Sequence, residues 1–182
     1  RVPEKTLPYP WESCIIAGGG WAWVHNAKYN SPTNVIGTLV DIVSKGGNLL
    51  LNIGPDPNGL WDPGAYALLD AIGDWMAVNS EAIYATKPIE PYKEGRVCLT
   101  QKKDGTVYAI HLAEEGQTRP PAEIALSTLQ PGDNAEVVML GAKTKLAWEK
   151  AGDGFRVTIP AALRDNPPCR HAWVIRVSSL KK

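Results

Sequence analysis

The chain has 182 residues, and its 19 Lys and Arg balance 19 Asp and Glu, so nothing in the charge points to nucleic acid or to an acidic surface. A hydrophobic share of 44% is that of a globular protein, and no apolar run reaches the roughly 18 residues of a membrane helix. The length allows one or two domains. No signal peptide opens the chain, but its first elements read as the tail of a larger fold, so a leader could precede Arg1.

Ser31-Pro32 fits a helix N-cap followed by proline at the first helical position. Val35, Ile36, Leu39, Val40, Ile42 and Val43 recur at helical spacing up to Lys45. Gly46-Gly47 closes that helix, and Leu49, Leu50, Leu51 and Ile53 follow as an apolar run without alternation. Such a run predicts a parallel strand covered on both faces. It ends in the turn Gly54-Pro55-Asp56-Pro57-Asn58-Gly59, where Asn52, Asp56 and Asn58 read as turn-fixing residues. Asp62-Pro63 starts a second helix, with Tyr66, Leu68, Leu69, Ile72, Trp75 and Met76 as its apolar face and an end near Asn79-Ser80. Helix, strand and helix make one and a half α/β repeats, too few to close a sheet. Ordering of residues 1–87 is therefore expected to need the rest of that sheet or a neighbour over Leu49 to Ile53.

Lys87-Pro-Ile-Glu-Pro-Tyr92 reads as a proline-punctuated linker, after which helical periodicity gives way to alternation. Val97 and Leu99 are joined to Val107, Ala109 and Leu112 by the hairpin signal Lys103-Asp104-Gly105. Ala122 to Leu126, Ala135 to Leu140, Lys145 to Trp148, Phe155 to Ile159 and His171 to Val177 read as further short strands. Seven or eight such strands predict an antiparallel β-sandwich. The division expected is 1–87 and 88–182.

Four motifs, in order, carry a resemblance: Trp11-Glu12-Ser13-Cys14, then Gly20-Trp21-Ala22-Trp23, then Lys45-Gly-Gly-Asn-Leu-Leu-Leu-Asn-Ile-Gly-Pro55, then Asn79-Ser-Glu-Ala-Ile-Tyr84. The chain resembles the α-L-fucosidases of glycoside hydrolase family 29. Its aromatic element, reached through Gly18-Gly19-Gly20, departs from the family's Ser-Trp-Gly-Tyr-like form, and Ser80 and Ala85 stand where the family usually has glycine. The resemblance implies the last βα units of a (β/α)8 barrel followed by a C-terminal β-sandwich. It implies a retaining exo-glycosidase that releases α-L-fucose from a fucosylated oligosaccharide or glycoconjugate, with the remaining N-terminal barrel portion as partner. Periplasmic, secreted or lysosomal placement goes with that family, and the lack of any Asn-X-Ser/Thr site tilts toward the periplasm.

Retaining glycosidases use two carboxylates, a nucleophile and an acid/base, about 5 to 5.5 Å apart. The family's nucleophile is an aspartate on an earlier barrel strand, and no segment here matches its surroundings. The family's acid/base lies shortly before the Trp-Glu-X-Cys motif, so both carboxylates are expected upstream of Arg1 and the fragment alone is expected to be inactive. Glu12 is the in-chain candidate for the acid, since the adjacent Trp11 can desolvate its carboxyl; a structural hydrogen bond or ion pair is the other reading. Glu4 lies in a solvated loop. Trp21 falls on the aromatic position that packs against the sugar, and Trp23 is its companion candidate. Trp11, Trp61 and Trp75 read as structural, Trp148 and Trp173 as sandwich residues, and His25 as a solvated loop residue. Cys14, Cys98 and Cys169 read as buried small residues, no metal spacing occurs, and the chemistry needs no cofactor. A non-catalytic carbohydrate-binding or structural module and a catalytically dead homologue are the alternatives.

Overall fold

The structure, a computed structural model, describes residues 2–181. Its first strand, β1 (Trp11–Ile16), runs parallel to β2 (Gly47–Asn52), with Cys14 beside Leu50 and Ile15 beside Leu51. Helix α1 (Pro32–Ser44) connects them, and α2 (Pro63–Asn79) follows β2. Ser31 caps α1 through its hydroxyl, which accepts from the Asn34 N–H at 3.1 Å. A single 3-10 turn, Ser80–Ala82, leads into the sheet region.

Eight further strands form two antiparallel sheets. The larger runs in the order β3 (Thr86–Glu94), β4 (Val97–Lys102), β5 (Val107–Leu112), β10 (Ala172–Val177) and β7 (Val137–Met139). The smaller has β9 (Gly154–Thr158) between β6 (Glu123–Leu126) and β8 (Trp148–Ala151). Leu99, Ala109, Trp173 and Ile175 from the larger sheet meet Ile124, Leu126, Phe155 and Val157 from the smaller, which makes a sandwich core.

The opposite face of the larger sheet is also covered. Ile36 and Val40 of α1 and Trp75 of α2 pack on Cys98, Tyr108, Ile110, Ala172 and Val174. Trp75 is buried, and its indole N–H donates to the Ala172 carbonyl at 2.9 Å. The other side of the helices meets the parallel pair, where Val35 and Leu68 pack with Ala17, Leu51 and Ile53. The two helices are thus a layer between two sheets. This explains why β4, β5 and β10 carry apolar side chains in both phases of their alternation: neither phase faces water.

Several expectations are corrected. The bounds of the Trp11–Ile16 strand are not legible locally, because Trp-Glu-Ser-Cys has no period-2 apolar pattern, and Glu12, read as lying at a strand end, stands near its start. The Leu49–Ile53 run is not covered on both faces among the described residues: Leu51 packs toward the helices, whereas Leu50 is 50% exposed. The stretch read as a linker at 87–92 lies within β3, an edge strand, where prolines cost no ladder bond to a second neighbour. The strand expected over Lys145 to Trp148 begins at Trp148 instead. Short α3 (Ala161–Asp165) went unread. Tyr66 is exposed rather than on the buried face of α2, and Cys14 is exposed while Cys98 is buried.

Two stability predictions follow from the double-sided sheet. Trp75→Ala is expected to cost about 3 to 5 kcal/mol in urea unfolding, the range for removing a fully buried large side chain. Burial, and next the Glu81 carboxylate, push the Tyr108 phenol up to about 12 from its usual 10. The neutral phenol is the form the fold favours, so its contribution is intact below pH 10 and lost as pH rises toward 12. Urea midpoints between pH 9 and 12 are expected to fall less steeply in Tyr108→Phe than in the parent chain.

Candidate functional site

The loops that leave the carboxyl ends of β1 and β2 are fastened to each other. Ala17 N–H donates to the Asn52 carbonyl at 2.9 Å, extending the parallel ladder one step beyond the strands. The Asn52 side chain donates to the Trp21 carbonyl at 3.0 Å, and the Asn30 side chain donates to the Ile16 carbonyl at 3.2 Å. At Gly54 the second loop runs against the first so closely that a Cβ would lie 2.4 Å from the Trp23 nitrogen. Glycine is required there for that approach.

A carboxylate completes the fastening. Asp62 occupies the N-cap position of α2 but makes no side-chain capping bond. It accepts instead from the Trp23 indole N–H at 3.3 Å and from the Tyr29 hydroxyl at 3.2 Å, one on each oxygen. Tyr29 is held above its usual pKa by desolvation first and then by the Asp62 charge. In the turn itself, Asp56 accepts from the Asn58 and Leu60 N–H groups at 2.8 Å each, and these bonds, led by that of Leu60, hold its carboxyl below the usual range. The turn-fixing reading suits Asp56 and Asn58; Asn52 reaches across to the neighbouring loop instead.

Trp21 is 62% exposed in this loop pair, and Trp23 is half-buried with His25 edge-on at 5.7 Å. Glu12 is exposed on β1, beside Asn48. It stands four residues before the carboxyl end of its strand, ~13 Å at the strand rise per residue. The structure therefore brings Trp21 and Trp23 together and leaves Glu12 toward the opposite end. Trp61, read as structural, is 39% exposed and packs on Tyr66 with ring centres 5.7 Å apart. Asp62 and Tyr29 were missed as a unit, because Asp-Pro reads locally as a helix cap and nothing local links it to a tyrosine 33 residues away. Among the described residues no group of three or more His, Cys, Asp or Glu could hold a metal ion.

Comparison with known proteins fits this architecture. The family model described as alpha-L-fucosidase matches residues 1–81, and the one described as alpha-L-fucosidase C-terminal domain matches residues 92–178. The chain belongs to the α-L-fucosidase family. It is 35% identical over 190 residues to tissue alpha-L-fucosidase of Bos taurus and 32% identical over 188 residues to that of Homo sapiens, covering 100% and 98% of this chain. It spans only 39% of each of those relatives. Among solved structures, alpha-L-fucosidase isoenzyme 1 of Paenibacillus thiaminolyticus matches all of this chain and 44% of its own at 27% identity, with TM-score 0.84. The Thermotoga maritima alpha-fucosidase solved in complex with fucose matches 96% of this chain and 41% of its own at 26% identity, with TM-score 0.80. This fucosidase-family chain therefore has the fold of part of those enzymes.

Asp62→Ala is expected to loosen both loops and to lower stability by about 1 to 2 kcal/mol, since two donors lose their acceptor. In Asp62→Asn the Tyr29 pKa should move down toward 10 without reaching it, because desolvation, the larger cause, persists. A carbon-13 tyrosine NMR titration reads that shift.

Proposed function

We propose that this chain works within a longer α-L-fucosidase, residues 1–87 forming closing βα units of its (β/α)8 barrel and 88–182 its β-sandwich. The whole enzyme releases α-L-fucose from fucosylated oligosaccharides or glycoconjugates with retention, through a double displacement between two carboxylates. Family membership gives the reaction class, and the observation that carries this chain's part in it is the exposed Trp21, pinned at the carboxyl end of a parallel strand pair by Asn52. In barrels of parallel strands that end forms the active-site mouth.

Trp21 offers a flat apolar ring to the C–H face and methyl group of fucose, and Trp23, anchored by Asp62, backs it. These contacts need no metal and no cofactor. Glu12 is the weaker candidate, since its place near the start of β1 favours a structural part over proton transfer at the mouth. The sandwich is assigned as a brace: Trp173 is fully buried and Trp148 lies edge-on against Phe155, so neither tryptophan is free to bind a glycan. No helix among the described residues is long and apolar enough to cross a membrane. Periplasmic, secreted or lysosomal residence is part of the same proposal.

The test uses the longer enzyme that carries this sequence. Trp21→Ala is expected to raise KM for 4-nitrophenyl α-L-fucoside about tenfold, the equivalent of roughly 1.4 kcal/mol for one lost ring contact, with a smaller change in kcat. An unchanged KM removes Trp21 from the site. Glu12→Gln is expected to leave kcat near the parent value; a large drop restored by azide would instead make Glu12 the acid. The 182-residue chain by itself is expected to release no nitrophenol.

A further inference from the structure

Eight large hydrophobic side chains are exposed among the described residues, and five of them gather on the two fastened loops and the first turn of α2. They are Trp21 and Val24 on one side and Leu60, Trp61 and Tyr66 on the other, from 39% exposed at Trp61 to 62% at Trp21. Apolar side chains exposed on the loops at the carboxyl end of a parallel strand pair stand where such folds contact their substrates. Trp61 keeps 39% of its surface exposed although it is a large apolar side chain. Its ring is tilted 54° to that of Tyr66 at 5.7 Å, so the two make a shallow angled platform held to the rest of the mouth through the adjoining Asp62.

We infer that Trp61 and Tyr66 form the platform for the sugar unit to which fucose is attached. This inference rests on the fucosidase reading and adds to it the residues that recognise the leaving side of the substrate. Three observations favour a sugar as occupant. The platform is aromatic and uncharged, which suits the C–H face of a pyranose ring. The indole N–H groups of Trp21 and Trp61 make no hydrogen bond within the described residues and remain available to hydroxyl groups, whereas that of Trp23 is taken by Asp62. The platform adjoins the Trp21 loop, because Asp62, next to Trp61 in the chain, accepts from the Trp23 indole N–H at 3.3 Å.

Two substrates that differ only on the leaving side separate this role from a structural one. α-L-Fucosyl fluoride carries no second ring, while an α-L-fucosyl disaccharide does. In the longer enzyme, Trp61→Ala is expected to lower kcat/KM for the fucosyl disaccharide about tenfold and to leave that for the fluoride unchanged, with Trp61→Phe restoring most of the loss. Equal losses on both substrates, or none on the disaccharide, overturn the inference. Saturable quenching of tryptophan fluorescence by the unfucosylated disaccharide reads the platform without any hydrolysis. Quenching that disappears in Trp61→Ala supports the platform even if the fucosidase reading fails, and the absence of quenching in the parent enzyme overturns it.

Discussion

Burial of α1 and α2 between two sheets is the constraint on which the molecule depends. A helix layered on one sheet needs one apolar stripe, but these two need two, one toward the parallel pair and one toward the larger antiparallel sheet. Val35 serves the first sheet while Ile36 and Val40 serve the second. On α2, Leu68 serves the parallel pair and Trp75 the antiparallel sheet. Trp75 also donates to the Ala172 carbonyl, which satisfies that buried acceptor where the helix lies on the strand. The regions are therefore mechanically one piece along this layer.

That rigidity reaches the loops. Both loops begin on strands backed by the helix layer, and both end at the N-terminus of a helix in it. Contacts from the sandwich reach the same place: the Ser31 hydroxyl donates to Glu115 at 2.7 Å, and the Thr33 hydroxyl lies 2.8 Å from His171 Nδ1. Asp62 then sets the distance between the loops by holding Trp23 and Tyr29 together. The aromatic rings on these loops inherit their positions from a scaffold rather than from the loops alone.

Much of this was legible in the residues. Helix starts at Ser31-Pro32 and Asp62-Pro63, the hairpin at Lys103-Asp104-Gly105 and most sandwich strands follow local rules that the structure obeys. Where packing overrides locality, sequence reading failed. β1 has no strand pattern of its own and owes its existence to pairing with β2. β3 looks like a linker because its prolines conceal an edge strand. The 39% exposure of Trp61 was not legible, because composition does not distinguish a tryptophan packed under a loop from one standing on it. Asp62 looks like a cap because its two partners are remote in the chain.

The order of strands in the larger sheet has a consequence for biosynthesis. β10, the last in chain order of the strands described, lies between β5 and β7 and so occupies an interior place in the sheet that supports α1 and α2. Until it leaves the ribosome, Trp75 lacks the Ala172 carbonyl and the helices lack part of their floor. Loss of β10 would thus disturb a helix contact made 97 residues earlier in the chain, and a nascent chain must keep its helix layer from aggregating until β10 has been translated.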